Sequence, residues 1–337
     1  PIQFKMKKKI LLIHPGYGKA GTTSFQHLLQ FLNVNILAKP TENQTKTIWF
    51  KLFKERLFEN RYEINKKEYN YYELRNDFKN YLKNFFNNQN KISVYSDEGL
   101  LGGIKNRGNN LGLYNLVIFK EIIEEIENEL NIKIIVKFAI TIRRQYDMIL
   151  SAYHYLEEYY QRETLTELFK RTIQSEEYKN LFAYTILLKK IVKIFDSEIL
   201  ILPLELLNKD QDEYVAKICN FIELDAVVKH KLKQSNKNYI IKNGKKSYFY
   251  KSSPFSRIFY LATIIHQWLK KIEIYKNNYK NITLFKFIYK IVKPKEKKVL
   301  NKESTEFFQN EIKNLYKNDN LELEKINNIN LRNLDYF

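Results

Sequence analysis

The stretch that decides the fold is Lys9–Ser24, which reads KILLIHPGYGKAGTTS. Its first part, Lys9–His14, is an apolar run of the length expected of a buried strand. The glycines that follow predict a tight turn, and the pattern from Thr23 to Asn33 predicts a helix. A strand, turn and helix in this order direct backbone N–H groups and a helix N-terminus at one point, where an anion is stabilised. The stretch therefore predicts a phosphate-binding turn.

The predicted phosphate contacts come from the turn and the first residues of the helix, namely Gly16, Tyr17, Gly18, Lys19, Ala20, Gly21, Thr22 and Thr23. Glycine permits close approach of the backbone, and threonine hydroxyls can donate hydrogen bonds to phosphate oxygens. In a nucleoside triphosphate loop of the form GxxxxGK[ST], lysine directly follows the last glycine. Here Thr22 has that place, and Lys19 precedes Gly21 by two residues. The spacing argues against an ATP or GTP phosphotransferase.

The remaining apolar patterns alternate between strands and helices along the chain. Further strands are predicted at Ile92–Tyr95, Ile132–Ile142 and Glu198–Leu204. Further helices are predicted at 66–86, Tyr114–Glu129, Asp147–Tyr160, Tyr178–Phe195 and Asp212–Ile222. Because strands that alternate with helices form parallel sheets, we predict an α/β fold. It has a parallel β-sheet flanked by helices, with the ligand at the carboxyl ends of the strands.

A second junction of strand and helix lies at Ile140–Tyr153 and has Arg143 at the end of the strand. Ser151 follows eight residues later, about two helical turns on, so its side chain returns to nearly the same face. Arginine supplies a fork of N–H donors and serine a hydroxyl. We predict that Arg143 and Ser151 converge on a second phosphate.

These two segments resemble the donor-binding motifs of sulfotransferases that use 3′-phosphoadenosine 5′-phosphosulfate (PAPS). Residues His14–Gln26 are similar to the HxGxxKxGTTxxQ pattern of the bacterial branch, in which K-x-G-T-T opens the first helix and binds the 5′-phosphosulfate. The pair of Arg143 and Ser151 is similar to the 3′-phosphate motif of the family. The resemblance implies a P-loop-like sulfotransferase fold, PAPS as the sulfuryl donor, PAP as the product and no metal. It also implies that Lys19 stabilises the leaving group.

The resemblance is partial. Gln145 and Met148 stand where the better-known 3′-phosphate pattern has proline and arginine, and the adenine-clamping GxxGxWK element of the cytosolic animal branch is absent. The remaining candidates for contacts with the base are Ser235, Asn236 and Asn238. Residues 199–207 are similar to the late strand and Glu-x-Leu turn of the family, and residues 310–337 to the helical end of bacterial members.

Transfer of a sulfuryl group needs a base that takes the proton of the acceptor hydroxyl. The predicted strand Ile92–Tyr95 leads into Ser96, Asp97 and Glu98 at the carboxyl edge of the sheet. Glu98 is the predicted base, and the resemblance implies the same, because bacterial and glycan-modifying members commonly have Ser-x-Glu at this point. Asp97 and His14 stay open as alternatives.

We expect one sulfotransferase-like domain over residues 6–337. It includes a polar helical insertion at 43–90 and a basic helical C-terminal region at 242–337. Residues 1–5, ahead of Met6, are interpreted as a cloning remnant.

Cysteine content and hydropathy predict the compartment. Cys219 is the only cysteine, so no internal disulfide can form and a reducing compartment is expected. The longest strongly apolar run, Ile258–Leu269, is too short to span a bilayer. We therefore expect a cytoplasmic protein, and we leave open a peripheral contact with the inner face of a membrane through the basic surface.

The chain has 57 Lys and Arg against 38 Asp and Glu, a formal net charge of +19. This charge favours an anionic partner such as a nucleotide, an acidic glycan or a membrane surface. A nucleotide kinase and a noncatalytic nucleic-acid-binding protein are the competing classes. Because the basic residues are dispersed and no RRM, zinc-finger or basic-zipper motif is present, no nucleic acid partner is expected.

We expect the acceptor to be a carbohydrate hydroxyl, on a bacterial surface glycan or its lipid-linked precursor. The predicted base is a carboxylate, the Arg143-Arg144-Gln145 start is of the bacterial type, and the insertion at 43–90 can wall an open cleft. The oligomeric state is left open.

Overall fold

The computed structural model describes residues 7–16, 20–32, 34–38, 71–87, 90–97, 100, 111–151, 165–225, 239–242, 245–252, 296–299, 302–327 and 329–337. The chain divides into two compact units. The first comprises residues 1–144, 180–234 and 317–337, and the second comprises residues 145–179 and 235–316. The single domain predicted over residues 6–337 stays a prediction.

The strands are β1 Lys7–His14, β2 Asn35–Ala38, β3 Ile92–Ser96, β4 Ile132–Ile142, β5 Ile199–Pro203, β6 Tyr239–Lys242, β7 Lys245–Ser252 and β8 Glu296–Val299. The helices are α1 Thr22–Leu29, α2 Tyr71–Phe86, α3 Leu111–Leu130, α4 at residues 145–151, α5 Leu165–Gln174, α6 Glu176–Phe182, α7 Tyr184–Phe195, α8 Leu204–Lys209, α9 Gln211–Phe221 and α10 Lys302–Asn327. A short 3-10 turn comes last, at Arg332–Leu334.

The first five strands form a parallel sheet in the order β2-β3-β1-β4-β5. Ile13 of β1 lies in register with Tyr95 of β3 and with Phe138 of β4. Residues 9–14 of β1 and 92–96 of β3 are all buried. Continuous burial of this kind is typical of parallel strands, which are covered on both faces. The predicted α/β class, with a parallel sheet flanked by helices, is confirmed.

Helices cover both faces of this sheet. On one face, Phe25 of α1 and Tyr214 of α9 join Leu12 of β1 in a buried apolar cluster. On the opposite face, the ring centroid of Tyr95 lies 4.9 Å from that of Phe119 in α3. Each fully buried Leu or Phe side chain contributes about 1.5 to 3 kcal/mol to folding. The two apolar layers therefore fix the sheet, and with it the positions of its strand ends.

The strand order creates a crevice between β1 and β4. After β1 the chain moves to β2 and β3 on one side, and after β4 it moves to β5 on the other. In open α/β sheets, ligands bind at such a switch point, outside the carboxyl ends of the strands. At this edge of the sheet, the turn after His14 and the junction at Arg143 follow neighbouring strands.

The described part of the predicted insertion at 43–90 includes α2, whereas residues 43–70 lie outside the described residues. The Nζ atoms of Lys79 and Lys83 in α2 lie 2.9 and 2.6 Å from the carboxylate of Glu129 in α3. These two ion pairs join the C-terminal parts of the two helices. Among the described helices, none combines the length and the apolar character needed to cross a membrane.

The second unit contains α4, α5 and an antiparallel sheet in the order β6-β7-β8. The ring of Phe169 stacks on those of Tyr146 and Phe308, at centroid distances of 5.1 and 4.9 Å. Strands β7 and β8 fall where a helical region was predicted from residue 242 onward, so that prediction is wrong at these residues. The Ser-Tyr-Phe-Tyr run of β7 favours a strand because aromatic side chains pack well on a pleated sheet.

Candidate functional site

The predicted phosphate-binding turn has a backbone that requires glycine. Gly16 and Gly21 have φ angles of 51° and 91°, in the left-handed region. A Cβ atom at Gly21 would also lie 2.5 Å from the Cδ1 of Leu204, at the start of α8. Both restrictions explain why glycine stands directly before α1. Tyr17, Gly18 and Lys19 lie outside the described residues, so their predicted contacts stay predictions.

The N-terminus of α1 lies at the carboxyl edge of the sheet. Gly21 is the N-cap of α1 and has no side chain to cap it, and the first intrahelical bond runs from the N–H of Phe25 to the carbonyl of Gly21, at 3.0 Å. The amides of a first helical turn have no acceptor within the helix and attract anions. Thr23 is exposed there, whereas Thr22 and Ala20 are buried.

The two ends of the motif that starts at His14 and ends at Gln26 meet on one hydroxyl. The Nδ1 of His14 lies 2.8 Å from the Oγ of Ser96, and the Nε2 of Gln26 donates to the same Oγ at 3.0 Å. Ser96 is the last residue of β3, two positions before Glu98. Side-chain hydrogen bonds therefore join β1 and α1, the two elements that flank the predicted phosphate-binding turn, to β3, the strand that leads to Glu98.

His14 is fully buried and engages both of its ring nitrogens. Its Nε2 lies 3.2 Å from the Oγ1 of Thr141 in β4, and its ring centroid lies 4.0 Å from that of Phe25. Burial lowers the pKa of His14 to about 3, so the imidazole is neutral at physiological pH. Both ring nitrogens engage neighbouring hydroxyls, which favours a structural role for His14 over that of a base.

Asp97 is also fully buried. Its backbone N–H donates to the carbonyl of His14 at 3.0 Å, and its carboxylate interacts with the hydroxyl of Tyr95. Burial and this carboxylate raise the pKa of Tyr95 well above its usual value. Because Tyr95 faces α3, the carboxylate of Asp97 turns back toward the covered face of the sheet. Glu98 lies outside the described residues.

The predicted 3′-phosphate residue Arg143 lies directly after β4, in the junction before α4. The hydroxyl of Tyr184, which is fully buried, accepts from the N–H of Arg143 at 3.2 Å and donates to the carbonyl of the same residue. One side chain therefore satisfies both backbone groups of Arg143.

The next residue, Arg144, is held by Glu205. The N–H of Arg144 donates to Oε1 of Glu205 at 3.1 Å, and its Nε lies 3.6 Å from the same oxygen. Nη1 of Arg144 lies 2.8 Å from Oδ2 of Asp335, and the hydroxyl of Tyr336 donates to Oε2 of Glu205 at 2.8 Å. Arg144 is thus engaged by carboxylates in both its backbone and its side chain.

Ser151, the predicted partner of Arg143, is a buried residue of α4 and belongs to the second unit. The convergence of Arg143 and Ser151 on one phosphate stays a prediction. The candidates Ser235, Asn236 and Asn238 lie outside the described residues. Within the described part of the chain, no cluster of His, Cys, Asp and Glu could hold a metal ion.

Sequence reasoning did not identify Tyr184, Asp319 or Asn320 as parts of this region. Each acts across more than 15 positions of sequence, so no local spacing indicates its role. Glu205 and Tyr336 were noticed only through the resemblance of their segments to the family. The signal that could have found Glu205 is its position as the one polar residue in the otherwise apolar stretch Leu202–Leu207.

No protein-family model and no curated protein matches the chain. Among solved structures, a sulfotransferase from Alicyclobacillus acidocaldarius aligns with a TM-score of 0.36 and 13% sequence identity. The alignment covers 77% of this chain and 94% of that chain. A structural neighbour is thus a sulfotransferase, but a likeness at this level carries no conclusion about activity. The function is inferred instead from the residues of this chain.

Proposed function

We propose that the protein is a PAPS-dependent sulfotransferase that transfers a sulfuryl group to a hydroxyl of a carbohydrate. The observation that carries the proposal is the pairing of two anion-binding features on neighbouring strands. β1 is followed by a turn that leads into α1 and has left-handed glycines at positions 16 and 21, and β4 is directly followed by Arg143. The order of residues in both segments resembles the two donor-binding motifs of sulfotransferases.

The bound donor would supply a sulfur atom that an acceptor oxygen attacks in line with the departing 5′-phosphate. On this proposal, the amides of the turn and of α1 bind the 5′-phosphate, as helix N-termini bind anions. Arg143 and Ser151 bind the 3′-phosphate, and the fork of Arg143 provides two parallel N–H donors. Lys19 neutralises charge that builds up on the bridging oxygen as the bond between sulfur and oxygen breaks.

Glu98 is the proposed base that takes the proton of the acceptor hydroxyl. Two properties of its rivals support this choice. His14 is buried with a lowered pKa, and the carboxylate of Asp97 turns toward Tyr95. A general base must reach the proton that it removes, within about 3 Å or through one water. Glu98 follows the buried end of β3 and is the next carboxylate along the chain.

The proposed acceptor is a carbohydrate, on a bacterial surface glycan or its lipid-linked precursor. Tyr72, in the described part of the predicted insertion, is 74% exposed, and such amphipathic rings can stack on sugars. The net charge of +19 favours an acidic glycan, so binding should weaken as salt rises. We propose a cytoplasmic location, with no nucleic acid as a partner.

The test is a transfer screen. The protein is incubated with PAPS and panels of neutral glycans, acidic glycans and simple phenols, and sulfated product is measured by mass spectrometry. We expect sulfated glycan. Sulfation confined to the phenols would contradict the proposed carbohydrate acceptor and would leave PAPS as the proposed donor. If the protein binds ATP with Mg²⁺ and does not bind PAP, the nucleotide kinase is the correct class.

A further inference from the structure

Two residues, Arg143 and Arg144, join β4 to α4. Both lie outside the bounds of the strand and of the helix. Buried backbone groups outside regular structure need other hydrogen-bond partners. Tyr184 and Glu205 provide these partners, one for each residue.

Tyr184 is itself fixed by a residue far along the chain. Asp319 in α10 accepts from the N–H groups of Tyr184 and Thr185, at 2.9 and 3.1 Å, and from the hydroxyl of Thr185. These are the first two residues of α7, and Ala183 has no polar side chain that could cap this helix. Asp319 therefore serves as the N-cap of α7 from another element. Burial raises its pKa, and the hydrogen bonds from Thr185 and Tyr184 oppose the rise.

Glu205 is fixed in a parallel way. The hydroxyl of Tyr336, a buried residue, donates to Glu205, and Asn320 donates to the carbonyl of Tyr336 at 3.1 Å. Asp319 and Asn320 are adjacent in α10, and each leads to one of the two side chains that bind the junction. We call Tyr184, Glu205, Asp319, Asn320 and Tyr336 the strand-end clamp.

We propose that the strand-end clamp consists of positioning residues that set Arg143 for a 3′-phosphate. This inference rests on the proposed function. A guanidinium binds phosphate through parallel N–H donors of fixed geometry, and a displacement of about 0.5 Å already weakens such a constellation. Because the clamp binds the backbone on which Arg143 stands, its loss changes where the guanidinium lies while the guanidinium itself is retained.

The test compares two ligands that differ only in the 3′-phosphate, PAP and adenosine 5′-phosphate, by isothermal titration calorimetry. Tyr184→Phe removes the hydroxyl that binds Arg143 and keeps the ring. We expect it to weaken PAP binding about tenfold, equivalent to about 1.4 kcal/mol. Binding of adenosine 5′-phosphate should stay unchanged. Glu205→Gln and Tyr336→Phe should shift the ratio of the two affinities in the same direction. Arg143→Ala, which removes the guanidinium itself, gives the largest shift in this ratio that the clamp variants can approach.

Tyr214→Phe is the matched control, because Tyr214 is a buried tyrosine in the core cluster beside α1 and not in the clamp. It should leave the affinity ratio unchanged. Hydrogen exchange at the amides of Arg143 and Arg144 gives a readout without ligand. Tyr184→Phe should speed exchange at Arg143, and Tyr214→Phe should not.

The possible outcomes separate this inference from the proposed function. If the unchanged protein binds no PAP, the proposed function fails and the inference falls with it. If the unchanged protein binds PAP but Tyr184→Phe and Glu205→Gln leave the affinity ratio as it was, only the clamp is overturned. Equal losses for both ligands, or a variant that does not fold while Tyr214→Phe does, show a structural role alone and overturn it as well.

Discussion

The Nδ1 of His14 lies 2.8 Å from the Oγ of Ser96, while its Nε2 lies 3.2 Å from Thr141. These residues belong to β1, β3 and β4, so one imidazole joins the carboxyl ends of three neighbouring strands. Gln26 of α1 adds a donor to the same serine. The turn, the strand that leads to Glu98 and the strand that leads to Arg143 are thereby held by one network.

The His14 network predicts a pH dependence of stability. Because the folded pKa of about 3 lies below the unfolded value near 6.5, only the unfolded state gains a proton between these values. The stabilisation that neutral, buried His14 contributes is fully present well above pH 6.5 and is lost as the pH falls toward 3. The free energy of unfolding should fall by about 2 kcal/mol between pH 6.5 and 5. Urea denaturation followed by circular dichroism measures the change.

Two variants give the controls for this pH prediction. His14→Asn removes the titrating group and should flatten the dependence. His27→Asn, at a histidine in the last turn of α1, should keep the slope that His14 contributes. An equal slope in the unchanged protein and in His14→Asn would contradict the prediction.

Gly21→Ala should destabilise the protein through both backbone strain and overlap with Leu204. The left-handed φ of 91° and the 2.5 Å approach of Leu204 Cδ1 to a Cβ act together. We expect a loss of about 2 to 4 kcal/mol in the free energy of unfolding. A double-mutant cycle with Leu204→Ala separates the causes. The shortened side chain should recover about 1 kcal/mol of the loss, and strict additivity would show that Leu204 does not meet the new methyl group.

Lys19→Ala should slow transfer without changing the fold. Loss of one group that stabilises developing charge raises a barrier by about 2.7 to 4 kcal/mol, or roughly 10² to 10³ in rate. Single-turnover transfer from PAPS measures the chemical step. Lys189→Ala removes an exposed lysine that pairs with Glu322 and is the control, with no expected change in rate. Near-native transfer by Lys19→Ala would remove Lys19 from the site.

Glu98→Gln should retain affinity for PAP while turnover falls by about 10² to 10⁴, the range for loss of a general base. Asp97→Asn is the paired variant, and we expect it to act mainly on stability, because Asp97 is buried beside Tyr95. Calorimetry with PAP and steady-state transfer distinguish the two effects. If Asp97→Asn abolishes turnover and Glu98→Gln does not, the two roles are exchanged.

The sequence predicted four of the five parallel strands to within about two residues, because each combines an apolar run with flanking turn residues. It missed β2 Asn35–Ala38. Four residues are too few to show a period, and this strand is defined mainly by its pairing with β3. The helix predicted at Tyr178–Phe195 is two helices that meet at Ala183. The apolar pattern continues through the break, and the cap from Asp319 has no local signal.

The two proposed phosphate-binding segments are predicted from the sequence because glycine and arginine stand at informative positions beside strand ends. The contacts that orient these residues could not be predicted. Tyr184 reaches Arg143 across 41 positions, and Asp319 reaches Tyr184 across 135. Such pairs form only once the sheet and α10 are in place. Hydrophobic periodicity and turn composition therefore predict candidate ligand contacts, but they do not predict the distant residues that hold those candidates in place.

The strand-end clamp also sets an order of events during translation. The ribosome adds β1, the glycine turn and β4 early, whereas Asp319, Asn320 and Tyr336 come much later in the sequence. Domains begin to fold from the N-terminus while synthesis continues. A nascent chain that halts before Asp319 has the turn and Arg143, but it lacks the Asp319 carboxylate that caps α7 and the Tyr336 hydroxyl that donates to Glu205. On our proposal, such a chain therefore binds PAP more weakly than a chain that contains the whole clamp.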